Sequence, residues 1–419
     1  METAIRENLD HPGQLEKLYR TDRRSFEKAF FAIYPVIESH HTADFWRARL
    51  EYDHQGEGNR QFMKSDLLFV LLACLLAGIL IKLPLLFGFD PDQSEYYMKN
   101  GGIIIFLGLS AYAFLTKDKI RAKQLLLSLL VFALFALYIN LLAGGEKSDS
   151  VVLAYIHLPL LMWCLYGLVY VDFDIRKQMK RIDYIRYNGD LAILTAIILI
   201  AGGMLTLITI GLFSAIDIRI HDFYMENIAI VGLVSAPIVA TYIIRTFPAV
   251  TNKIAPIIAG IFSPLVLITL VIYLISIIVT GKDPYSDREF LIVFNLMLLG
   301  VMAIIVFSVT GTSVHKRQRF NEWILFILSA VTLIVNLISL SAIIYRLGEF
   351  GFSPNRVAVI GSNLLIFVHL LLIMIDLYKV IRRGKEIKTV ELTIAKYLPI
   401  YVAWTIFVVF ILPFLFGMR

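Results

Sequence analysis

The sequence predicts an all-α, polytopic membrane protein with about eleven transmembrane helices, and three observations carry that prediction. The chain of 419 residues is 58% hydrophobic and only 17% charged, with a mean hydropathy of +0.75; soluble domains carry roughly 25% charged residues. Runs of about 20 apolar residues recur along it, each long enough to cross a hydrocarbon core of ~30 Å. A short motif also opens three of the spans at nearly equal intervals. It reads YYMKN to Asn100, FYMEN to Asn227 and GFSPN to Asn355, so the asparagines stand 127 and 128 residues apart. Regularity of this kind suggests an internally repeated membrane protein.

In chain order, residues 1–64 are polar and form a small cytoplasmic helical segment, with no signal-peptide pattern at their head. Gln14 to Tyr19 reads as a helical turn. Asp22 is placed to cap a helix over Ser25–Ile37, with Phe26, Phe30, Ile33 and Tyr34 on one stripe, and Pro35 limits or kinks that helix. Thr42 opens a second amphipathic stretch through Phe45, Trp46 and Leu50. The segment is too short to be expected to bury much of a core; it reads as a cap on the inner loops or as the docking point of a protein partner.

The apolar runs of residues 65–419 fall at about 65–88, 98–116, 124–143, 150–172, 189–216, 224–244, 253–280, 289–310, 322–345, 355–378 and 396–417. They are helices because a backbone in lipid has to satisfy its own hydrogen bonds. Cys74 and Cys164 both fall inside spans, where free Cys behaves as a small hydrophobe. Lys82, near the outer end of the first span, is expected to snorkel.

Charge sets the orientation. Lys117, Lys119, Arg121 and Lys123 lie in one loop, and Arg176, Lys177, Lys180, Arg181 and Arg186 in another. Lys316, Arg317 and Arg319 lie in a third, and Lys379, Arg382, Arg383, Lys385, Lys388 and Lys396 in a fourth. All four fall on one side if the spans alternate. The opposite loops hold Asp90, Asp92, Glu95, Glu146, Lys147 and Asp149. The positive-inside rule then gives a cytoplasmic N-terminus and an extracytoplasmic C-terminus. The net charge of +6 is largely this topology signal. It implies lipid bilayer and anionic headgroups as partners, and no nucleic acid.

The simplest parse is three parallel units of four helices, about 65–186, 187–318 and 319–419, with the last unit lacking its fourth helix. Ordered matches support it. FSAIDIR with Ser214 and Arg219 answers LSAIIYR with Ser341 and Arg346. Lys253, Pro256 and Ile257 answer Lys396, Pro399 and Ile400, and IHLPLL around His157 answers FNLMLL around Asn295.

Polar groups inside spans are the candidate functional residues. The tenth span carries Asn355, Ser362, His369 and Asp376 at intervals of seven, on one helical face. Such a stripe can line a substrate or ion pathway or join helices; Asp376 can also pair with Lys379, which leaves His369 as the one deep titratable group. The ninth span has Ser329, Thr332, Asn336 and Ser339 on a similar stripe, and Asn140, His157 and Asn295 are further mid-span polar groups. At the outer face Arg346, Glu349 and Arg356 flank the loop between spans nine and ten. Glu349 is placed to bridge the arginines, which can alternatively hold an anionic group in bidentate fashion. Asp217, Arg219, His221 and Asp222 form the corresponding cluster one unit earlier. His40, His41 and His54 with Glu38 and Asp44 lack metal-ligand spacing. There is no GxxxxGK[ST], HExxH or GxSxG motif, so no cofactor, metal site or catalytic set is expected.

The stretch YRLGEFGFSPNRVAVIGSNLLIFVHLL, through Arg346, Glu349, Phe350, Gly351, Asn355 and Arg356, resembles the closing motif of the bacterial multi-pass domain-of-unknown-function 4153 family. The lead QLEKLYR…FEKAFFAIYP…ADFW is similar to the cytoplasmic start of such proteins. The resemblance implies a bacterial inner-membrane protein and transfers no activity. Three functions follow as expectations. The first is a carrier-like or lipid-handling protein, which needs a cavity near His369 and Asn336. The second is a non-transporting scaffold or sensor, with a dry core and an apolar patch within residues 14–50. The third is an intramembrane enzyme acting on lipid-linked groups, with carboxylates gathered near Glu349 or Asp217.

Overall fold

The computed structural model describes the chain except residues 39, 89–94, 118–120, 144–147, 215–217, 249–253, 281–284, 286–287, 312–318 and 419; side chains of 23–24, 51–65, 86, 211–212, 214, 254–259, 276–277, 280, 288–290, 292–293 and 311 are likewise outside it. Among the described residues it is all-helical, 88% helix with no strand. It divides into two compact units, Met1–Leu68 and Phe69–Arg419.

The first unit holds α1 (Glu2–Glu7), α2 (Pro12–Thr21), α3 (Arg23–Ile37) and the start of α4 (His41–Ile81). Asp22 caps α3 by accepting from the Ser25 amide at 3.1 Å, and Pro35 lies inside a helix that continues to Ile37. Contrary to the expectation of little core, these short helices bury Leu15, Tyr19, Phe26, Phe30, Ile33, Trp46 and Leu50 together. The reason is aromatic bulk: Trp46 packs on Phe26 and Tyr19 with ring centroids 4.9 and 5.3 Å apart. Large exposed apolar residues here are scattered, Val36 and Phe45 being the most exposed, as is normal for a surface.

The second unit continues with α5 (Leu83–Leu86), α6 (Tyr96–Leu115), α7 (Ala122–Leu141), α8 (Asp149–Tyr170), α9 (Gln178–Ser214), α10 (His221–Thr246), α11 (Ile254–Thr280), α12 (Arg288–Gly311), α13 (Arg319–Phe350), α14 (Pro354–Arg383) and α15 (Lys388–Leu415). Eight of these, α6–α10 and α13–α15, are long and apolar enough to cross a membrane; the described apolar stretches of α4, α11 and α12 are shorter, 10–17 residues. Both α10 and α15 contain a π-turn, at Met225–Ala229 and Phe407–Ile411.

Small residues allow the closest helix approaches. A Cβ at Gly102 would sit 2.7 Å from Pro159, and one at Gly167 would sit 2.8 Å from the Tyr184 ring. The helices α13 and α14 form the tightest hairpin, α6 packs on α8, α9 on α10 and α15, and α11 on α12 and α13. In the first sequence unit the second helix, α6, packs on the fourth, α8; their counterparts α10 and α12 are not packed in this way.

Several basic residues of the unit are paired. Asp172 receives Lys117 at 2.6 Å and Lys180 at 3.5 Å, held by two successive left-handed residues, Asp172 and Phe173. Burial pulls the Asp172 carboxyl upward, but the two ammonium groups outweigh it and leave it below the usual carboxylate range. Nearby, Arg186 joins three helices: it donates to the Thr310 carbonyl at 2.6 Å and to Glu391 at 2.5 Å. The loop residues Asp90, Asp92, Lys119, Glu146, Lys147, Lys316 and Arg317 lie outside the described residues, as does Lys253.

Candidate functional site

A cavity of about 520 Å³ lies inside the second unit, walled by α8, α9, α12, α14 and α15. Its lining runs from Ala358 to His369 on α14 and from Ile394 to Thr405 on α15. At 1.5 Å per residue it therefore extends about 16 Å along the helices. Its surface is almost wholly apolar, and the volume is in the range of small-molecule sites. The cavity is not closed. At Leu160 of α8 and Leu299 of α12 the lining is 49% and 56% exposed, and α8 and α12 do not pack side by side. Both leucines sit mid-helix, away from the helix ends.

One wall is fixed by a polar knot. The Asn363 amide donates to the Asn295 carbonyl oxygen at 2.8 Å and to Ser339 Oγ at 3.0 Å, and Ser339 donates to Asn295 at 3.3 Å. Asn336 donates to the Asn363 backbone carbonyl at 3.1 Å. Three helices, α12, α13 and α14, meet there with almost no water access: Asn336 and Ser339 are fully buried and Asn363 is 2% exposed. On α13, Ser329 and Thr332 turn back onto carbonyls of their own helix. Asn336 is part of the knot behind the wall and does not line the cavity.

Another wall carries Tyr401 and Trp404 of α15, which share one helical face with Tyr397, a residue outside the lining. The His369 ring stacks on Tyr397 with centroids 4.2 Å apart and interplanar angle 12°, and its Nδ1 lies 3.0 Å from the Tyr401 hydroxyl. Trp404 lies flat over Gly361, where any Cβ would run into the indole, and donates Nε1 to Ser362 at 3.0 Å. On the α8 and α9 side Trp163 donates to Asn188 at 2.7 Å, and His157 Nδ1 bonds the Leu153 carbonyl at 2.8 Å.

The seven-residue stripe on α14 separates into four different contacts. Asn355 donates to Asp149 of α8 at 2.7 Å, while Ser362 and His369 meet α15 and line the cavity. Asp376 accepts from Lys379 at 2.7 Å and from Thr393 at 2.6 Å. Successive members are about 10 Å apart along the axis, each already bonded to a neighbour. The outer arginines do not meet Glu349 in any ion pair. Arg356 donates to the carbonyls of Phe350 and Gly351 at 2.8 and 2.7 Å, closing the end of α13, and Glu349 is exposed.

The three motif asparagines each tie the head of a helix to a neighbour. Asn100 and Asn140 exchange amide hydrogen bonds, at 3.1 and 2.8 Å, and Asn227 accepts from Lys82 at 2.8 Å. Lys82 also donates to the Glu226 carbonyl, within the π-turn of α10. Asp217 and the Ser214 side chain lie outside the described residues; His221 pairs with Asp222 at 3.0 Å. His40 bonds Asp10 at 3.0 Å, the His54 side chain is not described, and no group of three His, Cys, Asp or Glu able to hold a metal occurs among the described residues.

No protein-family model, curated protein or solved structure matches the chain. Function therefore has to be argued from this cavity.

The residues that build it and that sequence reasoning passed over are Asn363, Asn188, Tyr401 and Trp404. The four-and-three spacing of 397, 401 and 404 was a usable signal. Asn363, one position round the helix from Ser362, was hidden by the seven-residue stripe.

Proposed function

We propose that this is a carrier-like or lipid-handling protein of a bacterial inner membrane, which admits a lipid-like molecule sideways from the bilayer into the cavity between α8 and α12. The observation that carries the reading is the conjunction of an apolar surface with a mouth at mid-helix level. A water-soluble substrate would call for polar walls and an opening at a helix end. A scaffold with a dry, fully packed core has no use for a 520 Å³ void. An enzyme reading would be favoured by carboxylates at a groove, and no Asp or Glu lines this one among the described residues.

In this reading the chain crosses the membrane eleven times, with its N-terminus in the cytoplasm and its C-terminus outside, and anionic headgroups gather at the basic loops. Its three parallel pseudo-repeats and its kinship with the domain-of-unknown-function 4153 family rest on the sequence motifs alone.

The test is direct. The intact protein is purified in mild detergent and its bound lipids are extracted and quantified by mass spectrometry, beside an Ala303→Trp variant that fills the cavity from α12. A near-stoichiometric amphiphile in the parent and its loss from the folded variant are expected. The same lipid content in both proteins would sink the reading.

A further inference from the structure

The lining specifies the kind of head group as well as the tail. Among the described residues, none of the 25 that line the cavity is Asp, Glu, Lys or Arg. A phosphate or carboxylate taken inside would lose its hydration with no cation to meet it, at a cost of several kcal/mol. The cavity nevertheless contains hydrogen-bonding groups, and most are already engaged. Asn363 is spent on Asn295 and Ser339, Ser362 on Trp404, and Asn188 on Trp163 and the Tyr184 carbonyl. Among the described lining residues, the buried side-chain polar atom left without a hydrogen-bond partner is His369 Nε2, on a residue that is 1% exposed. A buried polar atom left unpaired costs about 1–3 kcal/mol, so a ligand that pairs with it recovers that cost.

The polarity of the missing partner follows from the network. The Tyr401 hydroxyl has His369 Nδ1 as its recorded partner. The assignment that leaves no phenolic proton stranded has Tyr401 donating to Nδ1, which puts the ring proton on Nε2. The vacant atom is then a donor, and it calls for an oxygen acceptor.

We propose that the cavity selects an uncharged amphiphile, whose hydroxyl or carbonyl oxygen accepts a hydrogen bond from His369 Nε2 and whose hydrocarbon tail leaves between Leu160 and Leu299. Long-chain alcohols, isoprenoid alcohols and acylglycerols share this chemistry; their phosphate esters do not. The inference rests on the lateral-cavity reading above and adds the head-group class to it.

The experiment uses the full chain in lipid nanodiscs and a pair of photoreactive probes: a sixteen-carbon alcohol carrying a diazirine near its head, and the phosphate ester of the same molecule. Labelled peptides are located by mass spectrometry, with unlabelled alcohol as competitor. Competable labelling of α14 and α15 by the alcohol is expected, at least tenfold above the phosphate ester. His369→Phe should lower it about tenfold, the worth of one buried hydrogen bond, and His369→Gln, which keeps a donor, should restore most of it. The comparison of probes on the unaltered protein needs no variant to fold. Equal labelling by the phosphate ester, or undiminished labelling of a folded His369→Phe protein, overturns the head-group proposal and leaves the lateral cavity standing. Absence of cavity labelling by either probe, with bound lipid unaffected by Ala303→Trp, removes both.

Discussion

Replacing Asn363 by Ala tests whether the polar knot is what holds the cavity wall. Its side-chain amide donates twice, to Asn295 at 2.8 Å and to Ser339 at 3.0 Å, and both acceptors lie on other helices. With Asn363 2% exposed, no water stands ready to replace either bond. Interhelical hydrogen bonds in membrane proteins average about 0.6 kcal/mol, with a maximum near 1.7. Two of them therefore amount to about 1–2 kcal/mol, or roughly five- to thirtyfold in the unfolding equilibrium. The loss should not exceed this, because Asn295 still accepts from Ser339 at 3.3 Å and is not orphaned. The Asn336 bond runs to the Asn363 backbone carbonyl and survives the substitution. Reversible unfolding in mixed micelles, read by near-ultraviolet circular dichroism, measures the change. A double-mutant cycle with Asn295→Ala isolates the pair and should give a coupling of about 0.5–1 kcal/mol. An Asn363→Ala protein within about 0.3 kcal/mol of the parent, with no coupling to Asn295, would refute the claim that the knot holds α12, α13 and α14 together.

Two further outcomes are expected. Gly361→Ala drives a methyl group into the Trp404 indole; it should cost about 1–3 kcal/mol by overpacking, and Trp404→Leu in the same chain should relieve most of that cost on thermal melting. In the N-terminal unit, hydrogen bonds from Arg20 and then Arg49 hold the Glu16 carboxyl below the ordinary glutamate range. A depressed folded pKa contributes stability that is complete above the unfolded value of about 4.3 and is lost as pH falls through the lower folded value. Amide protection factors of residues 12–37, corrected for the intrinsic exchange rate at each pH, should therefore fall on acidification below that point, and Glu16→Gln should flatten this acid limb.

Much of the helical scaffold was legible in the sequence because its signals are local. Asp22 as a cap, the apolar runs and the Asp376–Lys379 pair depend on residues within a few positions of one another. The seven-residue stripe on α14 likewise identified a real helical face, since period alone fixes it. What the stripe faces was not legible. Its four members meet partners on α8 and α15 as far away as Asp149, 206 positions earlier in the chain, and nothing in a single sequence encodes that pairing. The outer arginine cluster illustrates the same limit. Arg356 and Glu349 have complementary charges and suitable spacing, yet Arg356 is drawn to the open carbonyls at the end of α13, an acceptor every helix offers and charge counting ignores. The core of the N-terminal unit was underestimated because length was weighed without the aromatic bulk of Phe26, Phe30 and Trp46.

The cavity has a physical origin in the division of labour among its walls. Along α13 and α14, small and amide-bearing residues let helices approach closely and bond, which closes that side. On the other side α9 leaves the bundle: its C-terminal half is exposed, as at Ile200, Leu205 and Leu207, and it contributes Ile185 and Asn188 to the cavity lining. Between α8 and α12 there is then a gap at mid-depth that no helix fills, and the residues bordering it are leucines with nothing to bond. A void lined by such residues stays dry in water-soluble proteins. Within a bilayer the fluid at its mouth is hydrocarbon, so the state of lowest free energy has the gap occupied by lipid-like matter. His369 then decides which: with Tyr397 against its face and Tyr401 on Nδ1, its one open valence favours a chain that ends in an uncharged oxygen over one that ends in a methyl group or a phosphate.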